Sequence, residues 1–519
     1  MKRQGYLGID AGTQGLSVIF TDLDLRILAG GEGSYAMVQG LPAECSEQHP
    51  ADWEAALTTA IGQLRSKLAA GGIEMDVVAI GISGQMHGEV LADAAGRVLG
   101  PARLWCDARN EAEGHELTES LGTKCPKRLT ASRWLWTLRN RPELASKIAR
   151  MTTPAGWIAH RLTGRWDLGI GDAAGMFPID QASLDYDTKL LKDFDAIAAR
   201  AANGFSPPRL SELLPKVRRA GEDGGTLDAG GAKLLGLPQG IPVAPAEGDQ
   251  PAALAGSLIA EPGMVSMSFG TSVVANSVGD RPFQGVSRAV DHFCAPDGRP
   301  INMVWLRNGT TWMNTVVNMF GRLLPEGSQG DAFATVMPQV VAAPDDCGGI
   351  LSLPFTDDEP GLGVSRGGTA LFVGIDDRNA TPGNMVKAAL LATVFNLRIG
   401  SGELDRQGFP RKEIVLSGGL VKTPALGQVI ADAFNTPVSI LDGGSEGTAF
   451  GAALMAKYRA ERSAGETTES WAAFLARHSS GTPKRFTPRS ASVRTLAGVF
   501  ERYRRLVAAQ PNLDAAVAR

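Results

Sequence analysis

The chain has 519 residues, 44% hydrophobic and 20% charged, with a formal net charge of -4. That length allows two or more domains, and that balance is the one of a globular enzyme. It excludes any general attraction to nucleic acid or to a membrane surface. Five cysteines, Cys45, Cys106, Cys125, Cys294 and Cys347, form no CxxC pair and no metal-ligand spacing, so a reduced, cytoplasmic protein is expected. Met1-Lys2-Arg3-Gln4 leads directly into an apolar strand without a signal core, and no stretch reaches the roughly 18 apolar residues of a membrane span.

Leu7 to Phe20 predicts a β-hairpin, apolar on both arms, with Gly12 and Gly15 supplying the backbone angles of a tight turn. Asp10 is its one charge. A lone carboxylate beside exposed amides and the Thr13 hydroxyl suits a polyphosphate carrying a hydrated cation. Leu25 to Met37 predicts another strand, and Ala51 to about Ala69 a helix stopped by Gly71-Gly72. Val77 to Ile82 reads as a buried strand. It ends in Ser83-Gly84-Gln85-Met86-His87-Gly88, the place where α/β proteins put ligands. Trp105, Asp107 and Arg109 offer a flat apolar face, acceptors and donors, a combination that suits sugar hydroxyls. Helices are expected from Arg133 towards Leu162, and a loop over the expected ligand site from Gly164 to Phe177.

Asn203 to Pro245, rich in Gly and Pro, predicts a boundary. The expected division is 1–246, 247–460 and a helical tail over 461–519 packed on the body. Asp249 follows as the N-cap of a small-residue helix with Pro251 in its first turn, where the helix end keeps a carboxylate ionised. Met264 to Val274 then repeats the strand, Gly-Thr turn, strand pattern around Gly270, Thr271 and Ser272, with Ser268 in the place of Asp10. Two such hairpins could grip one polyphosphate. Val304 to Phe320 has helical character, and Ile350 to Pro354 is a strand entering the acidic Asp357-Asp358-Glu359. Thr381 to Gly400 and Pro424 to Phe434 are helices. Glu413 to Leu420 is a strand ending in Gly418-Gly419, bare backbone on which an adenine or ribose could sit. Ser445 to Leu454 opens a closely packed helix of small residues, and Leu496, Val499, Phe500 and Tyr503 mark an amphipathic helix in the tail.

These stretches together resemble the FGGY family of carbohydrate kinases. The matching runs are Gly8 to Thr13, Ser46 to Pro50, Gly81 to Gly88, Leu104 to Arg109, Gly171 to Gly175, Gly248 to Gln250, Ser268 to Ser272 and Ser417 to Gly419. The resemblance implies an α/β fold of two actin-like (ribonuclease H-like) domains with an interdomain cleft, sugar on the first domain and ATP on the second. It implies ATP and Mg2+ as cofactors and a sugar as the small-molecule partner, and it is compatible with a homodimer. By position, Asp249 matches the catalytic base. Gln85, Met86, His87, Trp105, Asp107 and Asp249 fall at the sugar. Asp10, Gly12, Thr13 and Gln14 match the first phosphate turn, with Asp10 meeting the metal through water. Gly270, Thr271 and Ser272 match the second turn, and Gly418 and Gly419 the adenosine site. The Gln-Met-His-Gly run points to the primary hydroxyl of a ketopentose of the xylulose type. The alternatives are another sugar or polyol, of the ribulose type, and a non-catalytic sugar- or nucleotide-binding protein. Ser17, Gln250, Glu89 and Asp357-Asp358-Glu359 depart from the family's usual residues.

Overall fold

The computed structural model describes residues 1–202, 204–323, 332–441, 447–478 and 483–517. Two residues named above, Asn203 and Ser445, lie outside them. The chain forms two compact units: Met1–Ala260 with His292–Pro300 and Glu446–Ser479, and Glu261–Asp291 with Ile301–Ser445 and Ser480–Arg519.

In the first unit, β1 (Lys2–Ala11), β2 (Gly15–Asp22) and β3 (Ile27–Ser34) form an antiparallel meander. Alternation sends Leu7, Ile9, Val18 and Phe20 into the core. Helix α1 (Pro50–Ala70) follows, with proline in its first turn and Gly71 just past its end. Trp53, Leu57, Ile61 and Leu64 recur at helical spacing and are all buried. Strand β4 (Glu74–Gly84) then pairs parallel to β1, and β5 (Glu247–Gly248) pairs parallel to β4. The strand order is β5-β4-β1-β2-β3. The expected boundary at 246 thus falls inside this unit, because β5 completes its sheet and α2 (Asp249–Gly256) continues directly from it. Residues 164–177 are not one loop. Asp167–Gly169 is a strand paired with Lys216–Arg218, and Ile170–Ala173 is a helical turn.

The second unit repeats the plan. Strands β6 (Met264–Phe269) and β7 (Val273–Val278) form the second hairpin, and β8 (Pro300–Leu306) pairs antiparallel with β7. Residues 304–320 are therefore not one helix. The strand ends at Leu306, and α3 (Thr311–Gly321) starts after Arg307-Asn308-Gly309. A buried strand and an apolar helix stretch look alike over so short a run. Helix α4 (Pro382–Gly400), capped by the Thr381 side chain, crosses the core almost wholly buried. Strand β9 (Glu413–Gly418) pairs parallel with β6, and after α5 (Leu426–Phe434) strand β10 (Val438–Ile440) pairs parallel with β9. The central order β10-β9-β6-β7-β8 matches that of the first sheet, and one more strand flanks it on each side, Val290–Cys294 beyond β8 and Lys484–Phe486 beyond β10.

The chain then returns to the first unit as α6 (Gly447–Ala464). Its small residues bring it against bare backbone. A Cβ on Gly8 would stand 2.0 Å from the Ala449 carbonyl oxygen, and one on Gly81 1.8 Å from that of Ala452. A Cβ on Gly451 would stand 1.9 Å from the Ala252 oxygen of α2. The tail continues as β11 (Lys484–Phe486), paired with β10, and α7 (Ser490–Ala508), which buries Leu496, Val499, Phe500 and Tyr503 in the second unit, and a short helix, Gln510–Val517, follows.

Candidate active site

Register places the first unit's candidate residues at one level. Asp10 pairs with Ser83 and Ser83 with Glu247, so β1, β4 and β5 end side by side. The residues that follow, Gly12-Thr13, Gln85 to His87 and Asp249, therefore emerge together beyond the strands' carboxyl ends.

Asp10 Oδ1 accepts from the Ser83 hydroxyl at 2.8 Å, and Oδ2 accepts from the Thr448 hydroxyl at the start of α6. Burial raises its pKa and the two hydroxyl donors oppose the rise. Ser17 stands directly across the hairpin from Asp10. Neither Gly12 nor Gly15 has a positive φ, contrary to the expectation for a tight turn. Gly15 is required by space, since its Cβ would lie 2.8 Å from the Gly33 oxygen. Thr13 is held by its neighbours: its carbonyl accepts from Gln48 at 2.7 Å and its hydroxyl from the Trp105 indole at 3.1 Å. That hydroxyl donates to Gln85 Oε1 at 3.3 Å, and Gln85 Nε2 donates to Gln48 at 3.0 Å. Gln85 is buried inside this network, whereas Gln14 is exposed at the turn.

Asp249 is the first residue of α2 rather than its N-cap, which is Gly248. Its carboxyl accepts the N–H groups of Gln250 and Met86. Burial, aided by the charge of Asp10, overrides these donors and pushes its pKa up to about 7. The ionised cap expected from the helix end is thus replaced by an acid poised near neutrality. Met86 is buried, and its side chain fills the space above Gly248, where a Cβ would stand 2.2 Å from Met86 Cγ. His87 adopts φ 64°, with Nδ1 3.1 Å from the Gly175 carbonyl.

Asp107 departs from the reading that made it a sugar acceptor. It is fully buried and spends its carboxylate on the Ser46 N–H at 2.9 Å and on Arg109, whose Nη2 also meets Glu47 at 2.6 Å. It shapes the loop from within, and the half-exposed Trp105 is the side chain this loop presents. Glu89 likewise faces inward, in a buried ion pair with Arg103.

Sequence reasoning missed Ser83, Thr448 and a carboxyl pair beneath Asp249. Glu247 accepts the N–H groups of Gly171 at 3.2 Å and Asp172 at 2.9 Å, and Asp172 accepts the Thr153 hydroxyl at 2.6 Å. Burial drives both carboxyls upward, Asp172 to about 8. The available signal was glycine: a Cβ at Gly169 or Gly171 would stand 2.3 or 2.6 Å from Glu247 oxygens.

In the second unit, Gly270 to Ser272 is an exposed turn between β6 and β7. The Gly309 N–H donates to the Thr271 carbonyl at 2.9 Å, and the Thr310 N–H to the Gly270 carbonyl at 2.8 Å. A Cβ on Gly309 would stand 2.5 Å from the Gly270 oxygen, so this position admits only glycine. Phe269 is in register with Gly418, which has φ 78° and leads to Gly419 beside the turn. Gly419, Leu420 and Thr423 line one wall of a cavity of about 740 Å³, with Met313, Phe333 and Met337 opposite. Its size and apolar lining with a polar edge suit a nucleoside.

Two sheets sharing one core topology, each closing its hairpin in a glycine-threonine turn, make an actin-like fold. The chain matches the FGGY family of carbohydrate kinases, N-terminal domain, over residues 5–256 and its C-terminal domain over 265–460. It belongs to that family and is an ATP-dependent carbohydrate kinase. It is 28% identical over 471 residues to a xylulose kinase of Haemophilus influenzae, covering 87% of this chain and 90% of the relative. The fold matches that of a solved xyloylose kinase from Brucella ovis with a TM-score of 0.81 at 24% identity, over 98% of this chain and 100% of the other. It matches a gluconate kinase from Lactobacillus acidophilus equally, at 0.81 and 19% identity over 99% of each chain. Among the described residues, no helix is long and apolar enough to cross a membrane.

Proposed function

We propose that the protein transfers the γ-phosphoryl of ATP to the primary hydroxyl of a ketopentose, D-xylulose, giving D-xylulose 5-phosphate. The observation that carries this reading is Asp249. Its carboxyl is held by the N–H of Met86, in the same turn as His87, and it feels the charge of Asp10. The relative from Haemophilus influenzae supports xylulose as the sugar.

Phosphoryl transfer proceeds through a loose transition state, so positioning and charge neutralisation supply most of the rate. Asp249 orients the sugar hydroxyl and takes its proton as the oxygen bonds to phosphorus and ADP departs. Gln85 holds Thr13, Met86 holds Asp249, and His87 and Trp105 face the sugar, while Asp107 sets their loop. The amides of Gly12, Thr13, Gln14, Gly270, Thr271 and Ser272 serve the phosphates, and Gly418-Gly419 the adenosine.

Mg2+ fits this chemistry as a passenger on the nucleotide. Among the described residues no group of three His, Cys, Asp or Glu side chains gathers to hold a metal alone. Asp10, whose oxygens each take a hydroxyl donor and keep further lone pairs, would meet the cation through water. When bound, the cation neutralises charge on the phosphates.

A panel of ketopentoses, polyols and gluconate in a coupled ADP-release assay tests the reading. D-Xylulose should give the highest kcat/KM. A higher value for another sugar reassigns the substrate, and nucleotide binding without sugar-dependent ADP release would remove catalysis altogether.

A further inference from the structure

Arg133 sits in the helix Thr130–Asn140 and is fully buried. Its Nη1 donates to the carbonyl of His87, and its Nη2 to the carbonyl of Leu104 at 2.6 Å. It is ion-paired to no carboxylate within the described residues. Burial pulls its pKa down to about 10, which leaves it protonated at neutral pH, and Glu89 is the charge that most favours this. Glu89 itself is hydrogen-bonded to Arg103.

The two carbonyls belong to different loops. Glu89 and Arg103 are bridged by backbone hydrogen bonds of 2.8 and 3.3 Å, and beyond this bridge the strands part. One side runs back into the Gln85–Gly88 turn, and the other forward into Leu104–Arg109. The Arg133 fork catches both where they diverge. On the first it pins His87, a non-glycine residue in left-handed backbone, a conformation that persists only when its surroundings enforce it. On the second it pins the residue before Trp105. A planar guanidinium can hold two carbonyls at a fixed separation, which an ammonium cannot.

We propose that Arg133 is a positioning residue for the sugar: its fork fixes the turn bearing His87 relative to the loop bearing Trp105, and so sets sugar affinity rather than the rate of transfer. This rests on the sugar-site reading above.

The test compares Arg133→Met, Arg133→Lys and His87→Ala with the parent by steady-state kinetics and thermal melting. Arg133→Met should raise the KM for D-xylulose by about tenfold or more, since small misplacements of binding groups are costly. The KM for ATP and kcat should stay within about threefold, and Arg133→Lys should fall between Met and parent, because it keeps the charge and loses the fork. Parallel loss of kcat and of both KM values would assign Arg133 a general structural role and overturn the proposal. If Arg133→Met does not fold, Arg133→Lys decides alone: a sugar KM raised about threefold or more supports the clamp, and a parental KM refutes it. A raised sugar KM in His87→Ala with a parental KM in folded Arg133→Met sinks the clamp only. Parental values in both sink the sugar-site reading with it.

Discussion

A carboxylate that takes a proton in a transition state works best when its pKa lies near the working pH. Asp249 reaches that range through burial and the charge of Asp10, against the pull of the Gln250 and Met86 N–H groups and the Gln250 side chain. Asp249→Asn should lower kcat by about 10²-fold or more, with the sugar still bound, as read in the coupled assay. In the parent, kcat/KM should fall by a factor of ten per pH unit below about 7, because only the ionised form accepts the proton. The asparagine variant should lose that limb. Stability moves the opposite way. An unfolded aspartate titrates at about 3.9, so between there and about 7 the folded state holds the proton more tightly. This contribution is complete below the unfolded value and is lost as pH rises through the folded one. Asparagine stays neutral throughout. Asp249→Asn should therefore melt a few degrees above the parent at pH 8, and the gap should close towards pH 4. A variant that melts lower at pH 8 would place this carboxylate in a stabilising pair instead. Residue identity made Asp249 legible in the sequence. It did not reveal that the cap is Gly248 or that the acid is poised, since both follow from Met86, Asp10 and the packing around them.

At the scale of elements, the hairpins were plain because apolar alternation and Gly-Thr turns are local signals. The helices with proline at the start and glycine at the end, α1 and α4, could be read almost to the residue. What local pattern could not provide was partnership across the chain. Thr448 is hydrogen-bonded to Asp10, and nothing in the sequence near either names the other. Only the run of small residues in α6 hinted at close packing, and its counterparts are Gly8 and Gly81 on β1 and β4. That contact makes a paired prediction. Gly81→Ala forces a methyl group to within 1.8 Å of the Ala452 carbonyl oxygen, so helix or strand must shift. It should lower both the melting temperature and the activity. Thr448→Val keeps the shape and removes only the hydroxyl, leaving an Asp10 oxygen without its donor. It should melt within a few degrees of the parent yet lose about tenfold in kcat/KM, the scale of one charge-assisted hydrogen bond. If Thr448→Val is as active as the parent, α6 serves the fold alone.

Across the whole molecule, one strand order is used twice and filled with different chemistry. The first copy carries the carboxylates at its strand ends. The second has Ser268 where the first has Asp10, and it offers glycine backbone and an apolar cavity instead. Such a division predicts that the two ligands can be disturbed separately. Gly309 is the place to test it, because a Cβ there would lie 2.5 Å from the Gly270 oxygen and 2.6 Å from the Thr271 oxygen. Gly309→Ala must spread the turn proposed above to donate its amides to phosphate, since the atoms its methyl group would meet are those of Gly270, Thr271 and Ser272. The KM for ATP should rise by about tenfold or more, as a displacement of about an ångström in a positioned group commonly costs. Sugar affinity, measured by calorimetry without nucleotide, should be unchanged. Combined with Arg133→Met, the two binding losses should add on a free-energy scale, as expected of sites that share no partner. A Gly309→Ala protein with parental ATP kinetics would mean that the second turn does not hold the nucleotide's phosphates. A loss of sugar affinity in the same variant would mean that the two copies do not divide the work as their residues indicate.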